Sequence, residues 1–122
     1  MSSTTTPIAI DDFVLAIKDL SDENITSVKS QLLNSISKLT ESNELLETEI
    51  STTKEAIAQL NPDQSHQSLA EDLELYQESI EENKIVITSQ RERVTALDAE
   101  LTSRGLLSQK QEEQTKSDEI YL

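Results

Sequence analysis

The chain has 122 residues, with 24 acids against 10 bases, a formal charge of −14, 2% aromatics, one Gly and no Cys. One Gly cannot punctuate a sandwich or barrel, and the absence of Cys excludes disulfide scaffolds and cysteine-held zinc. So acidic a chain repels phosphate backbones, which argues against direct nucleic-acid binding, while Leu, Ile, Val and Phe at 32 of 122 positions are too many for a wholly disordered chain.

Residues 1–10 read as a flexible polar leader around Pro7. They lack the basic and apolar regions of a signal peptide, and no apolar run approaches the roughly 20 residues of a membrane span. The expected location is the cytoplasm, with the nucleus open to a small protein by passive entry.

A short helix is expected over residues 11–20. Asp11 and Asp12 suit a helix N-terminus, and Phe13, Ile17 and Leu20 form one apolar stripe. Ser21-Asp22-Glu23 reads as a break followed by a new N-cap.

The next segment, 22–60, contains no Gly or Pro. Positions 25, 28, 32, 36, 39, 43, 46, 50, 53, 57 and 60 carry Ile, Val, Leu, Ile, Leu, Asn, Leu, Ile, Thr, Ile and Leu. Spacings of three and four are those of a coiled-coil seam. Two consecutive fours at 28, 32 and 36 form a stutter that locally unwinds a supercoil.

A polar link, 61–67, holds Pro62 and the single His, His66. A second long helix is expected over 68–104. Its seam at 69, 73, 76, 80, 83, 87, 90, 94, 97 and 101 alternates fours and threes without error. Ser68 and Glu71 have capping-box spacing, and Gly105 suits a C-terminal stop. The tail 105–122 is polar, and disorder is expected there.

A short link makes neighbouring helices antiparallel. Folding the chain about it sets Leu60 against Leu69, Ile50 against Ile80, Leu32 against Leu97 and Val28 against Leu101. The expected fold is all-α: a long antiparallel helical hairpin, monomeric when free, with a short N-terminal helix and a disordered tail. The short helix is expected to fold against Leu101, Leu106 and Leu107.

Catalytic constellations are missing. One Gly cannot build a phosphate loop, no calcium-loop spacing occurs, and a lone His in a turn reads as a solvated residue. The expectation is a protein that is not an enzyme and holds no cofactor or metal. Glu71, Asp72, Glu74, Glu78, Glu81 and Glu82 read first as a solvated face and second as a docking surface for a basic partner. Asn43, Asn83 and Gln90 interrupt the seam, where buried amides fix register. Leu33 and Leu45, with Leu75, Ile85 and Val86, lie outside the seam. A two-helix core cannot cover them, so either the short helix or another protein does. The final Ile120-Tyr121-Leu122 fits the pattern of proteasome-docking C-termini, though an end without a role is the simpler reading.

Four stretches together resemble a known family: Ile10-Asp11-Asp12-Phe13 with Ala16-Ile17 and Leu20-Ser21-Asp22; Asn34-Ser35-Ile36 with Leu39 and Ser42-Asn43; Leu73-Glu74-Leu75-Tyr76 with Ser79-Ile80, Glu82-Asn83 and Val86; and Glu92-Arg93-Val94-Thr95-Ala96-Leu97. In order and spacing they resemble the fungal ATPase-dedicated proteasome assembly chaperones, a translation-machinery-associated protein family, over about residues 8 to 100. The 52–69 region and the tail depart from that pattern. The resemblance implies a chaperone that binds the N-terminal region of the sixth regulatory-particle ATPase and promotes its pairing with the third. Phe13, Ile17, Leu20, Leu75, Ile85 and Val86 are then the candidate partner contacts, with no nucleic acid or membrane involved. The rival expectation is a self-associating structural coiled coil or tether. An acidic mimic of a basic surface's partner is a further alternative.

Overall fold

The computed structural model describes residues 9–106, which form three helices: α1 (Ile10–Ile17), α2 (Asp22–Ala58) and α3 (Gln67–Ser103). No strand occurs among the described residues. The tail's expected disorder, Leu107 and the Ile120-Tyr121-Leu122 terminus lie outside them. The chain divides into two compact units, one combining residues up to Leu33 with those from Arg91 onward, the other spanning Asn34–Gln90.

Each helix end has a local cause. Ser21 Oγ accepts the Asn24 backbone N–H at 3.1 Å and starts α2, as the sequence suggests. The first helix stops at Ile17 rather than Leu20. There the N–H groups of Lys18, Asp19 and Leu20 each bond a carbonyl three residues back, tightening the chain out of the α-helix. The link is a turn in which the Gln64 N–H bonds the Asn61 carbonyl at 3.0 Å and Gln64 Oε1 accepts the Asn61 N–H at 2.9 Å. The expected capping box does not form. α3 begins at Gln67, which places Ser68 inside the helix, and Glu71 accepts a bond from Gln67 Nε2 at 3.1 Å. At the far end Gly105 has φ +79°, and the Leu106 N–H bonds the Leu101 carbonyl at 2.8 Å while the Gly105 N–H bonds that of Thr102 at 2.9 Å. This is a Schellman stop, which requires the left-handed residue that Gly supplies.

In the first unit Asp22 pairs with Arg104 and Lys29 with Asp98, so α2 and α3 run antiparallel. Its core is Ile17, Ile25, Leu97 and Leu101, with Phe13, Leu20, Val28, Leu32 and Ala96 packed around it. The short helix therefore closes over Leu101, as expected. Leu106 does not join it: it stays half exposed, because the Schellman turn carries it to a shallow groove beside Leu101, Asp22 and Thr26.

In the second unit the two long helices pack alone around Ile80 and Ile87, with buried Thr53 between other half-buried seam residues. Asn43 and Asn83 meet across the seam, Asn83 Nδ2 donating to Asn43 Oδ1 at 2.8 Å. Every seam position named from the spacing is buried or half-buried.

Truncating Leu97, which is fully buried, to Ala is expected to cost about 2–4 kcal/mol in urea unfolding, through a cavity that a thin core cannot close. At the polar layer, Asn43→Leu alone strands the Asn83 amide and is expected to cost about 1–3 kcal/mol. The double change Asn43→Leu with Asn83→Leu is expected to recover most of that loss while loosening the register, read by urea unfolding and by a broader spread of hydrogen-exchange protection along the seam.

Candidate partner-binding surface

The six candidate contacts separate into two groups. Ile17 is 2% exposed and belongs to the core of the first unit, with Phe13 and Leu20 half-buried against it. Their stripe is spent inside the molecule, because α1 is the only described element available to cover Ile25, Leu97 and Leu101. Arg93 sits over the Phe13 ring, 5.4 Å from its centroid, adding a cation–π contact to that packing. Ile17 is therefore a packing residue of this unit, while Phe13 and Leu20 keep part of their surface open to solvent. The outward side of α1 instead shows Val14 and Leu15.

Leu75, Ile85 and Val86 behave differently. They are 57%, 70% and 42% exposed. At about 100° per residue, Leu75 and Val86 lie within about 20° of each other on α3, three turns apart, and Ile85 lies about 80° to one side. Glu74, Glu78 and Glu82 share that arc, and carboxylate stems beside Ile85 form a shallow depression with Gln77 and Glu81. Leu45 on α2 is also exposed in this unit, and Leu33 in the other. The short helix thus accounts for none of this second apolar stripe.

What sequence reading missed is the fastening of α1. Arg104 sends Nη1 to Asp22 at 2.7 Å, Nε to Glu100 at 2.8 Å, and Nη2 to the carbonyls of Ile17 and Lys18 at 3.2 and 3.1 Å. One guanidinium thereby satisfies the open C-terminus of α1 and bridges the start of α2 to the end of α3. The hydrogen bonds it donates to Glu100 and then to Asp22 hold its pKa above the ordinary Arg value. The charge is lost only as pH rises through that elevated pKa, so the clasp persists across neutral and acidic pH on the Arg side. The signal was available: Asp22 and Arg104, like Lys29 and Asp98, flank seam positions that the folded-over chain brings together.

Among the described residues no cluster of His, Asp and Glu could hold a metal ion, and no helix is long and apolar enough to cross a membrane.

Residues 9–108 match the family model described as the TMA17 helical domain. The chain belongs to this family. Over 101 residues it is 37% identical to Translation machinery-associated protein 17 of Saccharomyces cerevisiae (strain ATCC 204508 / S288c), covering 80% of this chain and 67% of that relative. No solved structure matches the chain. The four stretches that carry the sequence resemblance all fall inside the region matched to TMA17.

The two groups of apolar residues separate in a simple experiment. Leu75→Ser and Val86→Ser are expected to change unfolding free energy by less than about 0.5 kcal/mol, with helix content by circular dichroism preserved. Ile17→Ser is expected to cost several-fold more, because it places a hydroxyl in the core of the first unit. Equal losses at all three sites would make Leu75 and Val86 core residues.

Proposed function

We propose that this chain is a stoichiometric chaperone for assembly of the proteasome regulatory-particle base. It binds the N-terminal helical region of one AAA-ATPase subunit, the sixth, and promotes its pairing with the third. It does so as a binding protein without catalysis or cofactor, in the cytoplasm and nucleus, as a monomer when free. The observation that carries this reading is the exposed stripe of Leu75, Ile85 and Val86 on a long helix of a TMA17-family chain.

Helices that pair in coiled coils expose an apolar seam until the partner arrives. The α3 stripe can cover such a seam meanwhile. Burying the exposed parts of three side chains contributes about 3–5 kcal/mol, whereas association costs about 4–15 kcal/mol in lost freedom. The apolar stripe alone therefore cannot hold a partner irreversibly. That suits a chaperone, whose grip must yield to a larger, better-packed interface.

The same exposed apolar residues, with Leu45, also fit a second reading, a self-associating structural coiled coil. The charge of −14 weighs against it by like-charge repulsion between copies.

The deciding experiment offers the isolated N-terminal helical segments of each proteasome ATPase to the full chain, with mass followed by light scattering. The expected result is selective binding of the sixth segment by a monomer, lost when the third is added and weakened by Leu75→Ser with Val86→Ser. Binding to none, with concentration-dependent dimers or tetramers in the same samples, would favour the structural coiled coil.

A further inference from the structure

We infer that the Leu75–Val86 face of α3 takes a basic amphipathic helix, one whose apolar stripe is flanked by Lys or Arg. The inference rests on the helix-binding reading above and specifies the chemistry of the bound segment.

The α3 face carries charge that has no partner among the described residues. Glu74, Glu78 and Glu82 recur every four residues and share an arc of about 120° with Leu75, Ile85 and Val86. Among the described residues no Lys or Arg pairs with any of the three carboxylates. The nearest base along the helix, Lys84, is turned to Glu81 at 3.6 Å. In the first unit, by contrast, Lys29, Arg93 and Arg104 all engage groups of their own unit. Like charges at four-residue spacing repel along a helix, so this ridge is unfavourable until a cation approaches.

The occupant follows from the combination. Exposed apolar residues interleaved with unpaired carboxylates reject a second copy of this chain, since the same acidic ridge would face itself. They also reject an acidic helix. A helix carrying Lys or Arg beside its apolar stripe satisfies both features at once: apolar residues cover Leu75, Ile85 and Val86, and cations meet the ridge. Complementary charge also raises the encounter rate and selects against wrong partners.

The test uses the full chain and three probes: the N-terminal segment of the sixth ATPase, a synthetic helical peptide with a Leu stripe flanked by Lys, and the same peptide with Glu for Lys. Binding is measured for the parent, for Glu74→Gln/Glu78→Gln/Glu82→Gln, and for a control with the same change in net charge on α2, Glu41→Gln/Glu44→Gln/Glu47→Gln. The expected result is binding of the Lys peptide and no binding of the Glu peptide. The α3 triple variant weakens it about tenfold or more and flattens its salt dependence, while the α2 control changes it less than about threefold. Equal weakening by both variants would reduce the effect to net charge and overturn the inference, as would failure of the Lys peptide to bind. An ATPase segment that binds indifferently to salt and to the α3 variant would overturn the inference and leave the chaperone reading standing. An ATPase segment that does not bind, beside a Lys peptide that does so through α3, would sink the chaperone reading and leave the chemistry of the face intact.

Discussion

Two packed helices can bury only one stripe each, and the rest of this molecule follows from that limit. The seam supplies the buried stripe in both units. Any other apolar residue on α2 or α3 needs a third element. In the first unit that element is α1, whose Phe13, Ile17 and Leu20 close over Ile25, Leu97 and Leu101. An eight-residue helix is too short to be stable by itself and has no side-chain N-cap, so it depends on what it packs against. Arg104 makes the docking specific, joining carbonyls at the end of α1 to carboxylates of the two long helices. In the second unit no third element is present among the described residues, and Leu45, Leu75, Ile85 and Val86 remain open to solvent.

A thin core must also choose its register. Leucines and isoleucines slide past one another at small cost, whereas an amide removed from its partner does not. The Asn43–Asn83 hydrogen bond forms in one register only, and a seam slipped by a turn leaves both amides without it. Stability is given up for uniqueness here. A two-helix core without such a layer would have several seams of similar energy to choose from.

The fold was legible because its signals repeat. A seam of three and four spacings over two long segments leaves little room for another architecture, and each seam residue is at least half-buried. Single-residue chemistry was less legible. Ser68 and Glu71 have the right spacing for a capping box, yet the turn at Asn61–Gln64 delivers the chain so that helix begins at Gln67. Leu106 is expected beneath the short helix with Leu101, but the turn at Gly105 leaves it half exposed in a shallow groove beside Asp22 and Thr26. An Arg at a helix end is ordinary in a sequence, and the bonds of Arg104 to Asp22, Ile17 and Lys18 exist only once the chain has folded. For the candidate surface, hydropathy offers six residues and does not divide them into buried and exposed. The division depends on which stripe α1 covers, which is a packing outcome.

That division bears on how a partner could be held and released. A stripe broad enough to grip a helix by apolar burial alone would also pair with copies of itself or aggregate. Three apolar residues beside an acidic ridge that has no basic partner among the described residues work against both outcomes: like charge opposes pairing of copies, and the apolar area alone is small. Affinity on the proposed reading is then conditional, requiring apolar burial and charge neutralisation together. A partner whose own coiled-coil mate offers a longer seam has a better alternative. On the proposed reading, exchange from this face to that mate is driven by the larger apolar area the mate buries.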